Sequence, residues 1–310
     1  MATYYIDSTS GNDTTGNGSL ATPWQTMSKA HTSSATGDTI TLLPSTAVYT
    51  FPNLTIGKSL TWKAATIGDA IIDGTAGAAS WTLGVYSLTL ENLIFQNVTT
   101  SALAMFYTAV TASKAILFKN CRFKNIILNV SNNNAAIITN LVPSSAVVMD
   151  TDLIACSFEN VRTPYSAIDS QIVTNTNNST PNGSSVDLRM VNCSIIIPAA
   201  TYQIKNVVQL IYPASGDVLT MDNMIIDNMS GATVNFARYY GSSAATYQRI
   251  VNSTFQNITS PPTTFTTNLY NISTNPTGTN YTSGLLYADV AGGDYRLQPD
   301  SVGAFQGKLI

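Results

Sequence analysis

Apolar and polar residues alternate in six similar segments of this chain, and the segments share three aligned columns. The first column is almost entirely asparagine and consists of Asn92, Asn120, Ala155, Asn192, Asn223 and Asn252. Three residues later the second column contains Phe95, Phe123, Phe158, Ile195, Ile226 and Phe255. The third column contains Asn97, Asn125, Asn160, Ile197, Asn228 and Asn257. Since the copies recur every 28 to 37 residues, the pattern predicts a repeat architecture.

The residues around the first asparagine column predict the local geometry of each repeat. Every second residue upstream is mostly apolar, ending in the column Leu90, Phe118, Leu153, Met190, Met221 and Ile250. A period of two indicates a strand with one buried face. The alternation of inward-facing and outward-facing positions shifts by one residue across the asparagine. Asparagine tolerates the left-handed backbone of a tight turn. Each repeat therefore reads as a strand, an asparagine corner, a second strand and a second asparagine corner.

A variable third stretch completes each repeat and also reads as strand in most copies. These stretches are Ala135 to Val142, Ala167 to Val173, Val207 to Tyr212 and Val234 to Tyr239. Earlier partial repeats are expected around Ile40 to Leu43, Leu60 to Trp62 and Ile71 to Asp73. Repeats of this kind stack as coils about 4.8 Å apart, and their asparagine amides can hydrogen-bond along the stack. The predicted fold class is all-β, a parallel β-helix with a short N-terminal capping helix.

The two ends of the chain differ from the repeats, as the ends of a solenoid require. Pro23 to Ala30 has an early proline and helical spacing of apolar residues, so it predicts a capping helix. Thr263 to Thr282 is rich in Thr, Asn and Pro and predicts an irregular covering. We divide the chain into residues 1–39 (N-terminal strand and capping helix), 40–262 (coils) and 263–310 (C-terminal covering and closing segment).

Composition excludes several classes of function. Only 10% of the residues are charged and the net charge is −3, which argues against a nucleic-acid partner. No apolar run reaches the length of a membrane-spanning helix. One histidine, His31, is too few for the common zinc and iron sites, and no metal ligand is predicted. The first residues lack a basic and an apolar region, so we expect no secretory signal peptide.

Several motifs of this chain resemble the right-handed parallel β-helix proteins of the pectate-lyase-like superfamily. The N-terminal run from Tyr5 to Asp13, followed by Ala21-Thr-Pro-Trp24, is similar to their N-terminal signature. Gly37 to Leu43 is similar to the strand that follows it, and Gly293 to Pro299 to a closing motif. The resemblance covers nearly the whole chain and implies the fold. It does not imply one activity, because this fold carries lyases, hydrolases, epimerases and binding surfaces.

Strand parity places one group of charged residues on an outer face. Asp150 and Asp187 occupy equivalent outward positions in adjacent coils, and Asp152 and Arg189 follow two residues later. Stacked carboxylates repel each other, which raises one pKa and can produce an acid and base pair. Asp150, Asp152, Asp187 and Arg189 are therefore the candidate catalytic residues. The alternative is a plain charged face on which Asp152 simply pairs with Arg189.

The other charged residues and the cysteines are expected to have structural roles. Glu91 and Lys119 of adjacent coils are expected to form a weak surface pair. A second face carries the more dispersed charges Arg122, Lys124, Glu159 and Asp227. Cys121, Cys156 and Cys193 share one inward column and are expected to be free thiols in the core. His31 is expected to follow the capping helix in a structural role.

Aromatic residues near the third stretch are the candidates for carbohydrate binding. They are Tyr165, Tyr212, Arg238, Tyr239 and Tyr240. Aromatic rings with one polar end suit the apolar face of a sugar. The alternatives are packing of corners and loops, or contact with another protein.

Two main functions follow. The first is a non-catalytic or weakly catalytic surface protein that engages cell-surface or extracellular polysaccharide, most concretely on a bacteriophage virion as a tailspike-like or decoration protein. Other virion proteins are then partners, and the resemblance implies a possible homotrimer. The second is a polysaccharide lyase or glycoside hydrolase (a depolymerase). No cofactor is expected, except that a lyase of this superfamily would use the acidic groups to hold Ca²⁺ and an Arg or Lys as base. A third reading is a secreted bacterial β-helix whose signal peptide lies outside this sequence.

Overall fold

Three parallel sheets stack lengthwise in the computed structural model of the chain. It describes residues 1–75, 79–109, 112–142, 147–165, 170–177, 185–198, 204–211, 218–230, 233–240, 247–251, 253–256, 258, 269–270, 273–274, 287–289 and 294–297. Consecutive strands of one sheet come from consecutive coils, so each coil contributes one strand to each sheet. This is the predicted all-β parallel β-helix.

In each sheet, neighbouring coils supply neighbouring strands. The first sheet contains β1 (Thr3–Ile6), β2 (Thr39–Leu42), β5 (Leu60–Ala64), β8 (Leu88–Glu91), β12 (Lys114–Lys119), β15 (Val148–Ile154), β18 (Ser185–Val191), β21 (Val218–Asp222), β24 (Tyr247–Val251) and β26 (Leu269–Tyr270). The second contains β3 (Tyr49–Thr50), β6 (Ile71–Asp73), β9 (Ile94–Gln96), β13 (Arg122–Leu128), β16 (Ser157–Arg162), β19 (Ser194–Ile197), β22 (Ile225–Asn228), β25 (Thr254–Gln256) and β27 (Ser273–Thr274), with β10 (Thr99–Thr100) paired to β13. The third contains β4 (Leu54–Ile56), β7 (Trp81–Leu83), β11 (Ala104–Ala109), β14 (Ala136–Val142), β17 (Gln171–Asn177), β20 (Asn206–Ile211) and β23 (Asn235–Tyr240). A separate antiparallel pair joins β28 (Tyr287–Asp289) and β29 (Asp294–Leu297).

The first asparagine column forms the corner between the first and second sheets, as predicted. Asn92, Asn120, Asn192 and Asn223 all have left-handed backbone, with φ between 53° and 59°. The Nδ2 of Asn120 donates to Oδ1 of Asn92 at 2.8 Å, and that of Asn223 donates to Asn192 at 2.7 Å. Asn252 lies outside the described residues. The amide ladder along this corner is therefore confirmed in the coils that have consecutive asparagines.

The second asparagine column differs from the prediction. Asn97, Asn125 and Asn160 have φ between 52° and 55° and form a ladder of amides. β13 and β16 continue through this point, however, and their pairing resumes at once between Ile126 and Val161. In these two coils one left-handed residue bends the strand without ending it, so the position is a bend inside the second sheet, whereas β9 ends at Gln96, one residue before Asn97. Asn257 lies outside the described residues.

The aromatic column packs inside the coils. The rings of Phe95 and Phe123 stack at 5.3 Å with an interplanar angle of 7°, and those of Phe123 and Phe158 at 4.9 Å and 4°. All three side chains are fully buried. Each ring lies directly on the ring of the next coil, so the core side chains follow the same repeat as the corners.

The N-terminal helix is shorter than predicted and starts later. α1 spans Met27–Ser33 and is capped by Thr26, whose Oγ1 accepts from the backbone N–H of Lys29 at 3.1 Å. Asp13 accepts from the backbone N–H groups of Gln25 and Thr26, which holds this segment extended up to the cap. Met27 and Ala30 are buried, and the helix contacts β1. His31 lies within the helix rather than after it, which corrects its predicted position.

The third sheet contains strands that the sequence pattern did not predict. β4, β7 and β11 extend it into the early coils. β17 begins four residues later than the predicted Ala167 start, and the other predicted third stretches agree with β14, β20 and β23 to within one residue. In the predicted C-terminal covering, β26 and β27 add rungs to the first and second sheets. The division into three regions remains a prediction.

Candidate functional site

The outer face of the first sheet brings together the four predicted catalytic residues. In β15 the side chains of Met149, Thr151 and Leu153 are buried, so Asp150 and Asp152 face outward. In the register of β15 with β18, Asp150 lies beside Asp187 and Asp152 lies beside Arg189. Adjacent rungs of a sheet are about 4.8 Å apart. The four side chains therefore form one compact patch, here named the acid patch.

One half of the acid patch is an ion pair. The Nε of Arg189 donates to Oδ1 of Asp152 at 2.9 Å, and its Nη2 donates to Oδ2 at 3.1 Å. The side chains are 50% and 34% exposed, so solvent weakens the attraction. The bidentate geometry nevertheless fixes the orientation of the guanidinium. This half agrees with the alternative interpretation, in which Asp152 and Arg189 neutralise each other.

The other half is a pair of carboxyl groups with raised pKa values. Partial burial raises the pKa of Asp150, and the charge of Asp152 adds to the effect. Burial also raises the pKa of Asp187, and so does the charge of Asp150, while a hydrogen bond at 3.1 Å from the backbone N–H of Val218 opposes the rise. Repulsion between neighbouring carboxylates and loss of hydration both raise a carboxyl pKa. Asp150 and Asp187 are thus the members of the patch with the properties of an acid and base pair.

The surroundings limit the patch to two rungs. Ala115 is the register partner of Asp150 on one side, and Val218, whose backbone N–H donates to Asp187, lies on the other side. Leu117 and Thr220 flank the column of Asp152 and Arg189. The charged groups therefore have aliphatic and hydroxyl neighbours along the sheet.

The described residues do not fit a Ca²⁺ site. Calcium takes six to eight oxygen ligands, several of them from carboxylates. Asp152 is engaged with Arg189, and no group of three or more His, Cys, Asp or Glu side chains within the described ranges could hold a metal ion. The guanidinium of Arg189 is also bound to a carboxylate, which makes it a poor base. The ligand set of the lyase alternative is thus not assembled in this part of the chain.

Lys114 is a buried cation that sequence reasoning missed. It is 6% exposed, and its Nζ donates to the backbone carbonyls of Gly84 and, at 3.5 Å, of Leu83. Burial lowers the pKa of Lys114 to about 8. The sequence could have predicted this burial, because Lys114 lies on the same inward face of β12 as Ile116 and Phe118. It lies one residue before Ala115 but points away from the acid patch.

The predicted carbohydrate-binding residues lie partly outside the described residues. Tyr165 is exposed and follows β16 of the second sheet, whereas the acid patch lies on the first. The backbone of Arg238, Tyr239 and Tyr240 belongs to β23 of the third sheet, in register with Gln209, Leu210 and Ile211. Their side chains, and all of Tyr212, lie outside the described residues. Carbohydrate binding by these residues remains a prediction.

The remaining charged residues differ in part from the predictions. Glu91 and Lys119 are partners in the register of β8 and β12, but their side chains form no ion pair within 4.0 Å, so the predicted surface pair is not formed. Lys124 lies beside Glu159, as expected for an exposed second face. Asp227 on the same face is only 2% exposed, which corrects its assignment to a solvated surface.

The three cysteines are free and buried in one column, as predicted. Each thiol donates to backbone carbonyls of its own or the preceding coil, for example Cys156 to Phe118 and Cys193 to Leu153. Burial raises the pKa of the Cys121 and Cys193 thiols. These thiols are packing groups. No helix among the described residues has the length and apolar character needed to cross a bilayer.

Comparison with known proteins identifies neighbours of the fold only. No family model and no curated protein sequence matches the chain. A solved rhamnogalacturonan lyase aligns with 83% of this chain and 68% of its own, at 15% identity and a TM-score of 0.48. The crystal structure of the pectate lyase Pel9A aligns with 97% of this chain and 90% of its own, at 13% identity and a TM-score of 0.37. At these values the alignments carry no residue roles to this chain, whose own strand order identifies it as a parallel β-helix.

Proposed function

We propose that this protein binds polysaccharide through the acid patch on the outer face of its first sheet. The observation that carries the proposal is the register of β15 and β18, which stacks Asp150 on Asp187 beside an oriented Arg189–Asp152 bridge. Carboxyl oxygens accept hydrogen bonds from sugar hydroxyls, and bonds to charged acceptors are the stronger kind. The flanking Leu117 and Ala115 offer aliphatic surface to the apolar face of a sugar.

The test is a glycan array probed with three forms of the protein. The wild type should bind a subset of polysaccharides, and the double variant Asp150→Asn/Asp187→Asn should bind them about tenfold or more weakly, since two charged acceptors are lost. Glu91→Gln is the matched control, because it removes a carboxylate from the same face three rungs from Asp187. Equal binding by the double variant and the wild type, or no binding by either, would overturn the proposal.

Hydrolysis of the bound polysaccharide is the second candidate, and the raised pKa values of Asp150 and Asp187 favour it. Retaining glycosidases place two carboxyl groups about 5 to 5.5 Å apart, and stacked rungs lie about 4.8 Å apart. The protonated carboxyl would donate its proton to the glycosidic oxygen as the C1–O bond breaks. The ionised one would attack C1, and water would later release the sugar.

Reducing-end release separates these two candidates. Incubation of the wild type with the glycans that it binds should liberate reducing ends if the acid patch is catalytic, and either Asp150→Asn or Asp187→Asn should abolish the release. Binding without release by the wild type would contradict hydrolysis and leave the binding proposal intact.

We place this binding activity at the surface of a bacteriophage virion or in the extracellular space, as a homotrimer that contacts other virion proteins. The low charge and the Ser, Thr and Asn content, which is about a third of the chain, support the placement at a surface. The homotrimer rests only on the resemblance to the β-helix superfamily. Labelled antibodies against the protein should decorate intact virions, and sedimentation should give three times the mass of the chain. Unlabelled virions would contradict the virion placement, and a monomeric mass the trimer.

A further inference from the structure

A cluster of buried polar side chains lies on the outer side of the third sheet, away from the acid patch. In the register of β14, β17 and β20, Thr139 lies beside Thr174, which lies beside Gln209. The same column in earlier coils contains Thr82 and Tyr107, which are at least partly exposed, so this column faces outward. Thr139, Thr174, Gln171 and Gln209 are nevertheless 2% exposed or less.

The two glutamines face each other across neighbouring coils. The Nε2 of Gln171 donates to Oε1 of Gln209 at 2.6 Å and to Oγ1 of Thr174 at 2.6 Å. Both side chains are therefore held at one place on the sheet. Their other amide atoms, Oε1 of Gln171 and Nε2 of Gln209, have no hydrogen-bond partner.

Further polar atoms of the cluster are also without partners. They are Oγ1 of Thr139 and Nδ2 of Asn206, and Asn206 is the register partner of Gln171. A buried polar group that makes no hydrogen bond costs about 1 to 3 kcal/mol. Four such atoms on three consecutive rungs concentrate this cost at one place on the third sheet.

The arrangement specifies the chemistry of a partner. Gln171 offers an acceptor, Gln209 and Asn206 offer donors, and Thr139 offers both. A hydroxyl group satisfies an acceptor and a donor at once, whereas a carboxylate or an ammonium satisfies only one kind. The side chains described in this cluster carry no charge. Because the unpaired atoms extend over two rung steps, about 10 Å, a partner must present more than one hydroxyl.

We propose that the outer side of the third sheet contains an enclosed binding site for a neutral, multiply hydroxylated ligand, a polyol or neutral sugar, with one hydroxyl bridging Oε1 of Gln171 and Nε2 of Gln209. The segment of residues 129–134, whose tip is exposed, covers part of this site. It contacts the cluster through the carbonyls of Asn133 and Asn134, at 3.4 Å to Nε2 of Gln171 and 3.5 Å to Oγ1 of Thr174. The site is separate from the acid patch, and either proposal can fail alone.

Saturation-transfer NMR with the full chain tests this site. The probes are sorbitol, galactose and mannose, with gluconate as the charged probe. At least one neutral probe should bind and gluconate should not. The double variant Gln171→Leu/Gln209→Leu replaces both partners by apolar groups of similar size, so it should fold and should lose at least tenfold in affinity.

Two further measurements keep the test decisive. Thr82→Val, on the exposed part of the same column, should bind as the wild type does. The variant Gln209→Glu keeps the acceptor that Gln171 uses and removes the free donor, so it should also weaken binding. No binding of any neutral probe by the wild type, unchanged binding by the double leucine variant, or a high-resolution crystal structure grown with the probe that shows only water between Gln171 and Gln209 would each overturn the proposal.

Discussion

Ala155 occupies the same left-handed corner position that Asn120 occupies one coil earlier. Both residues have φ of 53°. Asn120 hydrogen-bonds to Asn92 in the coil before it, and Asn223 hydrogen-bonds to Asn192 two coils beyond. The ladder is thus interrupted at Ala155, whose methyl group can neither donate nor accept.

Replacing Ala155 by asparagine should stabilise the protein. The left-handed backbone costs an ordinary residue about 1 to 2 kcal/mol, and asparagine tolerates it better than alanine. The new amide would also join Asn120 to Asn192. We expect Ala155→Asn to raise the free energy of unfolding by about 1 kcal/mol, measured by urea denaturation.

The control for this change is Ala155→Gly, which relieves the backbone without adding an amide. If Ala155→Asn raises the free energy of unfolding more than Ala155→Gly does, the difference is the contribution of the amide ladder. An asparagine variant no more stable than the wild type would show that the interruption carries no cost.

Asp73 should anchor the second amide ladder at its N-terminal end. Its Oδ2 accepts from Nδ2 of Asn97 at 2.9 Å and from Nε2 of Gln96 at 3.0 Å, while Oδ1 accepts from the N–H of Thr75 at 2.9 Å. Because Asp73 is buried, Asp73→Ala leaves these donors unsatisfied and should cost about 2 to 3 kcal/mol of unfolding free energy. Thermal unfolding at pH 7 is the measurement.

Acid should weaken the same anchor. Burial alone would raise the pKa of Asp73, but the hydrogen bonds from Thr75, Gln96 and Asn97 outweigh it and lower the pKa. A lowered folded-state pKa adds stability above the ordinary value near 3.8, and this part is lost as the pH falls through the folded-state pKa. Asp73→Asn retains an acceptor without a charge, so it should lack this acid-dependent loss. Identical acid profiles of Asp73→Asn and the wild type would contradict the assignment.

Lys114 should make the protein more stable at alkaline pH. Burial lowers the pKa of Lys114 in the folded protein to about 8, from 10.5 in the unfolded chain. The unfolded state therefore binds more protons between these values, and stability rises with pH across this window. The melting temperature of the wild type should rise from pH 7.5 to pH 9.5 relative to that of Lys114→Met.

The matched control is Lys119→Met, at the exposed end of the same strand. Its pH dependence should follow the wild type. A Lys114→Met variant that follows the wild type as well would show that another group causes the alkaline change.

Removing the charge of Asp152 should lower the pKa of Asp150. The Asp152 carboxylate raises that pKa, although burial is the larger cause. In Asp152→Asn the pKa of Asp150 should move toward its ordinary value, and carboxyl-carbon NMR titration measures it. Glu91→Gln should leave it unchanged. An unchanged Asp150 pKa in Asp152→Asn would show that burial alone sets it.

The repeat could be read from the sequence because each coil uses the same local chemistry. Asparagine at the corners and alternating apolar residues in β12 and β15 are short-range signals, and the corner position required left-handed backbone even at Ala155. Parity then placed Asp150 beside Asp187, since strands in register repeat the same outward positions. The third sheet was harder to predict, because the loops before it vary in length and shift the start of β17.

The sequence by itself determined the coil, its first asparagine corner and the membership of the acid patch, since a repeated local pattern puts equivalent positions of neighbouring coils in register. Only the tertiary structure decided how the patch divides into the Asp152–Arg189 bridge and the Asp150–Asp187 pair. It also decided that Asp227 and the Gln171–Gln209 cluster are buried. Burial depends on what distant segments cover, and hydrogen-bond geometry depends on distances of a fraction of an ångström. Neither quantity is encoded in the alternation of polar and apolar residues.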